Sequence, residues 1–131
     1  MAQGGCHCGS VRYEMNLTEA RHSLCHCTDC RRATGAPAVS WAMIQHHDIK
    51  IEGQTSIYAS SPGAERHFCP KCGTSLFYVN EANLPGMIDI QSATLDDPEA
   101  LSLQAQIQTA DRLSWMEHLE RLPAFERFPP A

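Results

Sequence analysis

The chain has 131 residues, 43% of them hydrophobic and 19% charged, which is the size and composition of one globular domain and excludes a disordered or fibrous chain. Ten Lys and Arg residues against fifteen Asp and Glu residues give a net charge of -5, which argues against a nucleic-acid partner because phosphate backbones are bound by basic surfaces. The first residues carry no export signal and no apolar run approaches the roughly eighteen residues of a membrane span, so we expect a cytoplasmic protein with no membrane partner.

The first predicted strand lies just after the first cysteines. Val11, Tyr13, Met15 and Leu17 alternate with polar residues, which is the period-two pattern of a strand with one buried face. Six further short runs, separated by Gly, Pro, Asn and Asp, predict strands at 38–44, 48–52, 56–59, 74–79, 87–90 and 103–108. The chain is therefore predicted to be mainly β.

Helix signals are few and short. They lie at 29–33, directly after the central cysteines, at 97–101 and at 114–121. The segment 122–131 carries three prolines and is predicted to be an irregular surface tail. Together these elements predict one domain, 1–131, built as a small antiparallel β fold with a few short helices.

Seven cysteines fall into three groups, and their odd number and their spacing indicate metal ligands rather than disulfides. The groups are Cys6 and Cys8, then Cys25, Cys27 and Cys30, then Cys69 and Cys72. The last pair stands in Cys-Pro-Lys-Cys-Gly, a turn in which both thiolates converge on one ion while backbone N–H groups point at the sulfurs. We therefore predict a zinc knuckle at the last pair, because a redox pair would need a βαβ context that the sequence lacks.

The remaining cysteines suggest two different zinc sites. A structural zinc takes four protein ligands, so the knuckle needs a second pair, and Cys6 with Cys8 supplies it. The other three cysteines would then hold a zinc whose fourth position is open to water or substrate. Two alternatives stay open from spacing alone: Cys25 and Cys27 could join the knuckle, or a histidine (His22, His26 or His67) could close the group of three as a second structural site.

Several neighbouring residues are weaker candidates. His26 lies between two proposed ligands, where its side chain should point away from their metal, and the other histidines are expected at the surface. Arg31 and Arg32 follow Cys30 and would either lower thiolate pKa values and bind a substrate carboxylate, or form a solvated basic pair. Trp41 and Phe77 lie in predicted strands, where an aromatic side chain packs in the core or lines a pocket.

Three motifs together resemble those of the glutathione-dependent formaldehyde-activating enzymes, also called the centromere protein V and aldehyde-activating domain family. The resemblance covers nearly the whole chain. The motifs stand here as Gly4-Gly5-Cys6-His7-Cys8-Gly9-Ser10-Val11-Arg12-Tyr13, then Cys25-His26-Cys27-Thr28-Asp29-Cys30 with Gly35 and Pro37 beyond, then Phe68-Cys69-Pro70-Lys71-Cys72-Gly73-Thr74. Trp115 ahead of Leu122-Pro123-Ala124-Phe125 is similar to the family's ending.

The resemblance implies an all-β, tent-like fold stapled by zinc, with two zinc ions per chain. It places the structural ion on Cys6, Cys8, Cys69 and Cys72, and a catalytic ion on Cys25, Cys27 and Cys30. It also implies a carbon–sulfur lyase that joins glutathione and formaldehyde into S-hydroxymethylglutathione, or releases the aldehyde again. The expected partners are thus a small-molecule thiol and an aldehyde.

The sequence also departs from the glutathione-using enzyme, because little chain precedes Cys6 to shape a tripeptide pocket. The motifs therefore predict the zinc sites more directly than they predict glutathione as the substrate. The alternative is a zinc-stabilised binding or scaffold module, as in the centromere-protein branch, although the basic extensions expected there are missing from this acidic chain. A homodimer is possible, because small β domains expose edge strands.

Overall fold

The computed structural model describes residues 1–130, which form ten strands and one α-helix. In chain order the elements are β1 (Ala2–Gly5), β2 (Arg12–Met15), β3 (Arg21–Cys25), α1 (Thr28–Thr34), β4 (Val39–Gln45), β5 (Ile49–Glu52), β6 (Ser56–Ser61), β7 (Ala64–Phe68), β8 (Ser75–Asn80), β9 (Met87–Gln91) and β10 (Ala105–Ile107). Five single 3₁₀ turns complete them, at His46–Asp48, Ser92–Thr94, Thr109–Asp111, Ser114–Glu117 and Leu119–Arg121. None of the helices in this part of the chain combines the length and apolar character needed to cross a bilayer.

The strands form two sheets. The smaller has the order β1-β2-β5 and the larger has the order β10-β3-β4-β9-β8-β7-β6. Every pairing is antiparallel except the one between β10 and β3, which is parallel. The predicted mainly β fold is therefore confirmed, with this single parallel pair as the exception.

The main core joins the two sheets. Tyr13 and Met15, at alternate positions of β2, are buried as the period-two pattern predicts, and the Tyr13 ring packs edge-on against Phe77 with 5.6 Å between centroids. Leu76 and Ile90 in the larger sheet are fully buried in the same cluster. Because each such side chain contributes about 1.5–3 kcal/mol when it leaves water, this cluster is what holds the sheets together.

A second, smaller apolar cluster lies apart from the main core. It contains Cys25, Cys30, Val39 and Trp41, with Tyr78 packed against it. Three of the seven cysteines border this cluster, whereas Cys6 and Cys69 belong to the main core. The two groups of cysteines thus lie in different packing environments.

The structure corrects several sequence expectations. Strands β1, β3 and β7 were not predicted, because their residues are small or polar and show no apolar alternation. The helix predicted at 97–101 is a turn, in which Asp97 Oδ1 accepts a hydrogen bond from the Glu99 N–H at 3.2 Å, a local bond that competes with helix. The helix predicted at 114–121 is two separate 3₁₀ turns, while 122–130 has no regular structure.

Candidate metal centres and active site

The four cysteines predicted to share a structural zinc come together from two distant loops. Cys6 and Cys8 lie between β1 and β2, and Cys69 and Cys72 lie between β7 and β8. Their four sulfurs lie within 4.8 Å of one another. The Sγ atoms of Cys6 and Cys8, and those of Cys8 and Cys69, are 3.7 Å apart. Tetrahedral zinc with Zn–S bonds of about 2.3 Å separates its sulfurs by about 3.8 Å, so these residues fit that metal.

Backbone N–H groups support the sulfurs in this four-cysteine cluster. The Val11 N–H donates to Cys6 Sγ at 3.2 Å, and the Cys72 N–H donates to Cys69 Sγ at 3.4 Å. Both loops turn through a glycine with positive φ, Gly9 at 82° and Gly73 at 81°, which a side chain would disfavour. These bonds and turns match the ones expected for a zinc knuckle.

Neighbouring hydroxyls favour the thiolate form of the two exposed cysteines. A hydrogen bond with the Thr74 hydroxyl, at 3.2 Å, is the main cause that lowers the pKa of Cys72 to about 5. The Ser10 hydroxyl lowers the pKa of Cys8 in the same way. Because zinc binds thiolates rather than thiols, this donor set suits the ion.

The other three cysteines meet within one short segment. Cys25 ends β3, Cys27 is the residue that caps α1, and Cys30 lies in the first turn of that helix. Their sulfurs lie within 4.8 Å of one another, and the Cys30 N–H donates to Cys27 Sγ at 3.2 Å. Three converging sulfurs leave one position of a tetrahedral ion without a protein ligand.

The three thiols of this cluster differ in acidity. Hydrogen bonding with Cys25 is the main cause that lowers the pKa of Cys30 to about 5. The same bond raises the pKa of Cys25, and burial raises the pKa of Cys27. The thiolate form is therefore favoured most strongly at Cys30.

Histidines do not complete the three-cysteine cluster among the residues that the structure describes. His26 is buried and its Nε2 is 2.8 Å from Gln106 Oε1 in the neighbouring strand β10. His22 is also buried, against the expectation for a surface residue, because its Nε2 bonds to Ser92 Oγ at 2.7 Å. Both side chains are used to hold the strands in place.

The three-cysteine cluster opens onto a cavity of about 460 Å³. Its lining residues are Cys25, Cys27, Thr28, Asp29, Cys30, Trp41, Arg66, Tyr78, Leu84, Asp89, Ile107, Gln108 and Asp111. No cysteine of the four-cysteine cluster is among them. Neither are Arg31 and Arg32, so their proposed contact with a substrate carboxylate stays a prediction.

Three cavity residues that the sequence did not single out stand side by side on neighbouring strands. Arg66 on β7 pairs in register with Tyr78 on β8, which pairs with Asp89 on β9. The Arg66 guanidinium lies 4.9 Å from the centre of the Tyr78 ring, and its two terminal nitrogens each lie 3.8 Å from Cys30 Sγ. Burial, with a smaller effect of Cys30, raises the pKa of Asp89 to about 6. Only the strand register brings these groups together.

Aromatic and backbone features shape the cavity walls. Trp41 lies 6.2 Å from Tyr78, centroid to centroid, so it lines the cavity, whereas Phe77 is in the core. On the opposite side, Gln108 has a φ of 56° and turns the chain directly after β10. The Asp111 carboxylate then accepts a hydrogen bond from the Thr28 N–H at 3.3 Å, which fixes this wall to α1.

Comparison with known proteins places the chain in a family. The sequence profile of the glutathione-dependent formaldehyde-activating enzymes matches residues 1–111. An uncharacterized lyase of Schizosaccharomyces pombe is 33% identical over 77 residues, which span 59% of this chain and 56% of that protein. A Halomonas elongata protein named for glutathione-dependent formaldehyde activation is 27% identical, over 89% of this chain and 80% of its own length.

A crystal structure of a Rhodobacter sphaeroides protein shows the same fold. The match has a TM-score of 0.61 and 27% sequence identity, and it covers 79% of this chain and 98% of the other. The profile match extends over all seven cysteines of both clusters. The chain therefore belongs to the glutathione-dependent formaldehyde-activating enzyme family.

Proposed function

We propose that the protein is a zinc-dependent carbon–sulfur lyase that acts on adducts of a thiol and an aldehyde, of the S-hydroxymethylglutathione type. The observation that carries this proposal is the three-cysteine cluster, which opens onto the cavity, while the four-cysteine cluster does not. The family and the names of its relatives support an enzyme of lyase type. The sequence alone favoured this enzyme and kept a zinc-stabilised scaffold as the alternative.

The two clusters have different roles in this proposal. Cys6, Cys8, Cys69 and Cys72 hold a structural zinc, and Cys25, Cys27 and Cys30 hold the second one. At the second site, zinc would supply a positive charge that lowers the pKa of a substrate thiol or polarises an aldehyde oxygen. The remaining chemistry belongs to the side chains of the cavity.

The reaction forms or breaks one C–S bond. In the forming direction the thiolate sulfur attacks the aldehyde carbon, the C=O π electrons move to oxygen, and the oxygen takes a proton. Asp89, with a pKa of about 6, exists in both protonation states near neutral pH and is placed to give or accept that proton. Trp41 and Tyr78 form an aromatic wall of the cavity in which this step takes place.

Exchange NMR spectroscopy tests the proposal. The enzyme should raise the rate at which formaldehyde, glutathione and their adduct exchange at equilibrium above the rate measured without enzyme. Cys27→Ala should remove most of that increase, since it takes away one of the three sulfurs. The control is Lys71→Ala, which lies in the zinc knuckle of the four-cysteine cluster and is not a proposed ligand, and it should leave the rate unchanged. Full exchange activity in Cys27→Ala would contradict the assignment, and no activity in the wild type would favour the scaffold alternative.

A further inference from the structure

Arg66 is a buried charge with no carboxylate partner among residues 1–130. Its side chain is 7% exposed and lines the cavity beside the three-cysteine cluster. Within residues 1–130 its Nε makes no hydrogen bond, its terminal nitrogens each lie 3.8 Å from Cys30 Sγ, and its guanidinium lies 4.9 Å from the centre of the Tyr78 ring. None of the ion pairs in this part of the chain includes it. Because a buried guanidinium is costly unless its N–H groups are paired, this arrangement indicates an anionic ligand.

The charge of the cavity directs such a ligand to Arg66. The other charged groups among the lining residues are the carboxylates of Asp29, Asp89 and Asp111. Arg66 is the single cationic side chain among those lining residues. Among the side chains of the cavity wall, a negative charge is therefore attracted by Arg66, beside the zinc proposed at the three cysteines.

The position of Arg66 limits which part of a substrate it can bind. The carboxylates of a thiol such as glutathione lie several bonds from its sulfur, whereas the aldehyde oxygen lies only two bonds from the sulfur in the adduct. Arg66 lies against the sulfur cluster itself, at Cys30. The oxygen of the adduct is consequently the group within its reach.

We propose that Arg66 is a catalytic residue that binds the oxygen of the thiol–aldehyde adduct and stabilises its negative charge. This inference rests on the lyase function proposed above. When the C–S bond forms, the C=O π electrons move onto oxygen, and Arg66 donates hydrogen bonds to that oxyanion until it is protonated. In reverse, the hydroxyl loses its proton, Arg66 holds the alkoxide, C=O reforms, and the C–S electrons return to sulfur.

Kinetics of two Arg66 variants test this role. Arg66→Met should lower kcat for adduct cleavage on the order of 10²-fold with less than about a threefold change in KM, because the interaction is made mainly in the transition state. Arg66→Lys keeps the charge without the planar fork and should fall between Arg66→Met and the wild type. Arg21→Met, an exposed arginine on β3, is the matched control. If Arg66→Met and Arg66→Lys both lose zinc and melt at the same lower temperature, Arg66 has a structural role instead.

Binding of formate separates this inference from the lyase proposal. Formate is an oxyanion of the size of formaldehyde, and ¹³C-formate line broadening measures its binding to the zinc-loaded protein without any turnover. Binding should weaken at least tenfold in Arg66→Met and stay unchanged in Arg21→Met. Equal formate binding by Arg66→Met and wild type would overturn the role of Arg66 even if the enzyme is active. If formate binding is lost in Arg66→Met but the wild type shows no lyase activity, Arg66 still binds an anion and the proposed lyase reaction is wrong.

Discussion

The two cysteine clusters use the same ligand atoms in opposite ways. In the four-cysteine cluster, residues 61 positions apart in sequence meet, and they connect a loop of the smaller sheet to a turn of the larger one. The three-cysteine cluster takes all of its sulfurs from residues 25–30 of one segment. The difference predicts a structural metal site where the ligands close a long loop, and a reactive one where a ligand is missing beside a cavity.

The largest effect is expected from a substitution that breaks the four-cysteine cluster. Cys69→Ser should unfold the domain, because a structural zinc at this cluster would contribute on the order of 10 kcal/mol, comparable with the whole stability of a small domain. Cys27→Ser, in the three-cysteine cluster, should leave a folded protein with a modestly lower melting temperature. Circular dichroism during heating measures both. A Cys69→Ser protein that melts with the wild type would show that this cluster does not staple the sheets.

Metal removal should distinguish the same two sites in the wild type. Elemental mass spectrometry of protein purified without added metal is expected to give two zinc ions per chain. Dialysis against a mild chelator should remove one of them without unfolding, because the open site exchanges its ligand with solvent. The Cys27→Ala variant should already contain a single ion. Two ions that leave only on unfolding would make both sites closed and structural.

A smaller effect concerns the carboxylate beside the three-cysteine cluster. Asp89 has its pKa raised by burial from 3.8 to about 6, so the folded state binds its proton more tightly than the unfolded state does. The stability that this group contributes is present below pH 3.8 and is lost as the pH rises to about 6. Asp89→Asn should therefore gain about 1 kcal/mol of stability over the wild type between pH 5 and pH 8.

Urea denaturation of both proteins at the two pH values measures this difference. Glu120→Gln, an exposed acidic residue in the last 3₁₀ turn, is the control and should show no such pH dependence relative to the wild type. A difference between Asp89→Asn and wild type that stays constant with pH would mean that the carboxylate is stabilised as an anion in its cavity.

The sequence predicted the clusters better than it predicted the cavity. The alternation at Tyr13 and Met15 located β2, and the spacing of the cysteines separated two pairs from a group of three, because both signals are local. The meeting of the first pair with the last was implied by the family resemblance, since spacing alone left other partners open. Arg66 and Asp89 were missed because they meet only through the register of β7, β8 and β9. Strands β3 and β7 were missed because buried polar residues such as His22 and Arg66 break the apolar pattern, and their partners lie far away in sequence.

The smallest expected effect tests whether the cavity wall is strained. Gln108 adopts a φ of 56°, a left-handed conformation that costs a non-glycine residue on the order of 1 kcal/mol. Gln108→Gly should relieve this cost and, after the larger entropy lost by glycine, stabilise the protein by under about 1 kcal/mol.

Gly35, at the end of α1, is the reverse case: its φ is 73° and nothing lies within 4 Å of an added Cβ, so Gly35→Ala should destabilise by about 1 kcal/mol from backbone conformation alone. Both are measured by urea denaturation, and a destabilised Gln108→Gly would show that this side chain stabilises the cavity wall more than its backbone strains it.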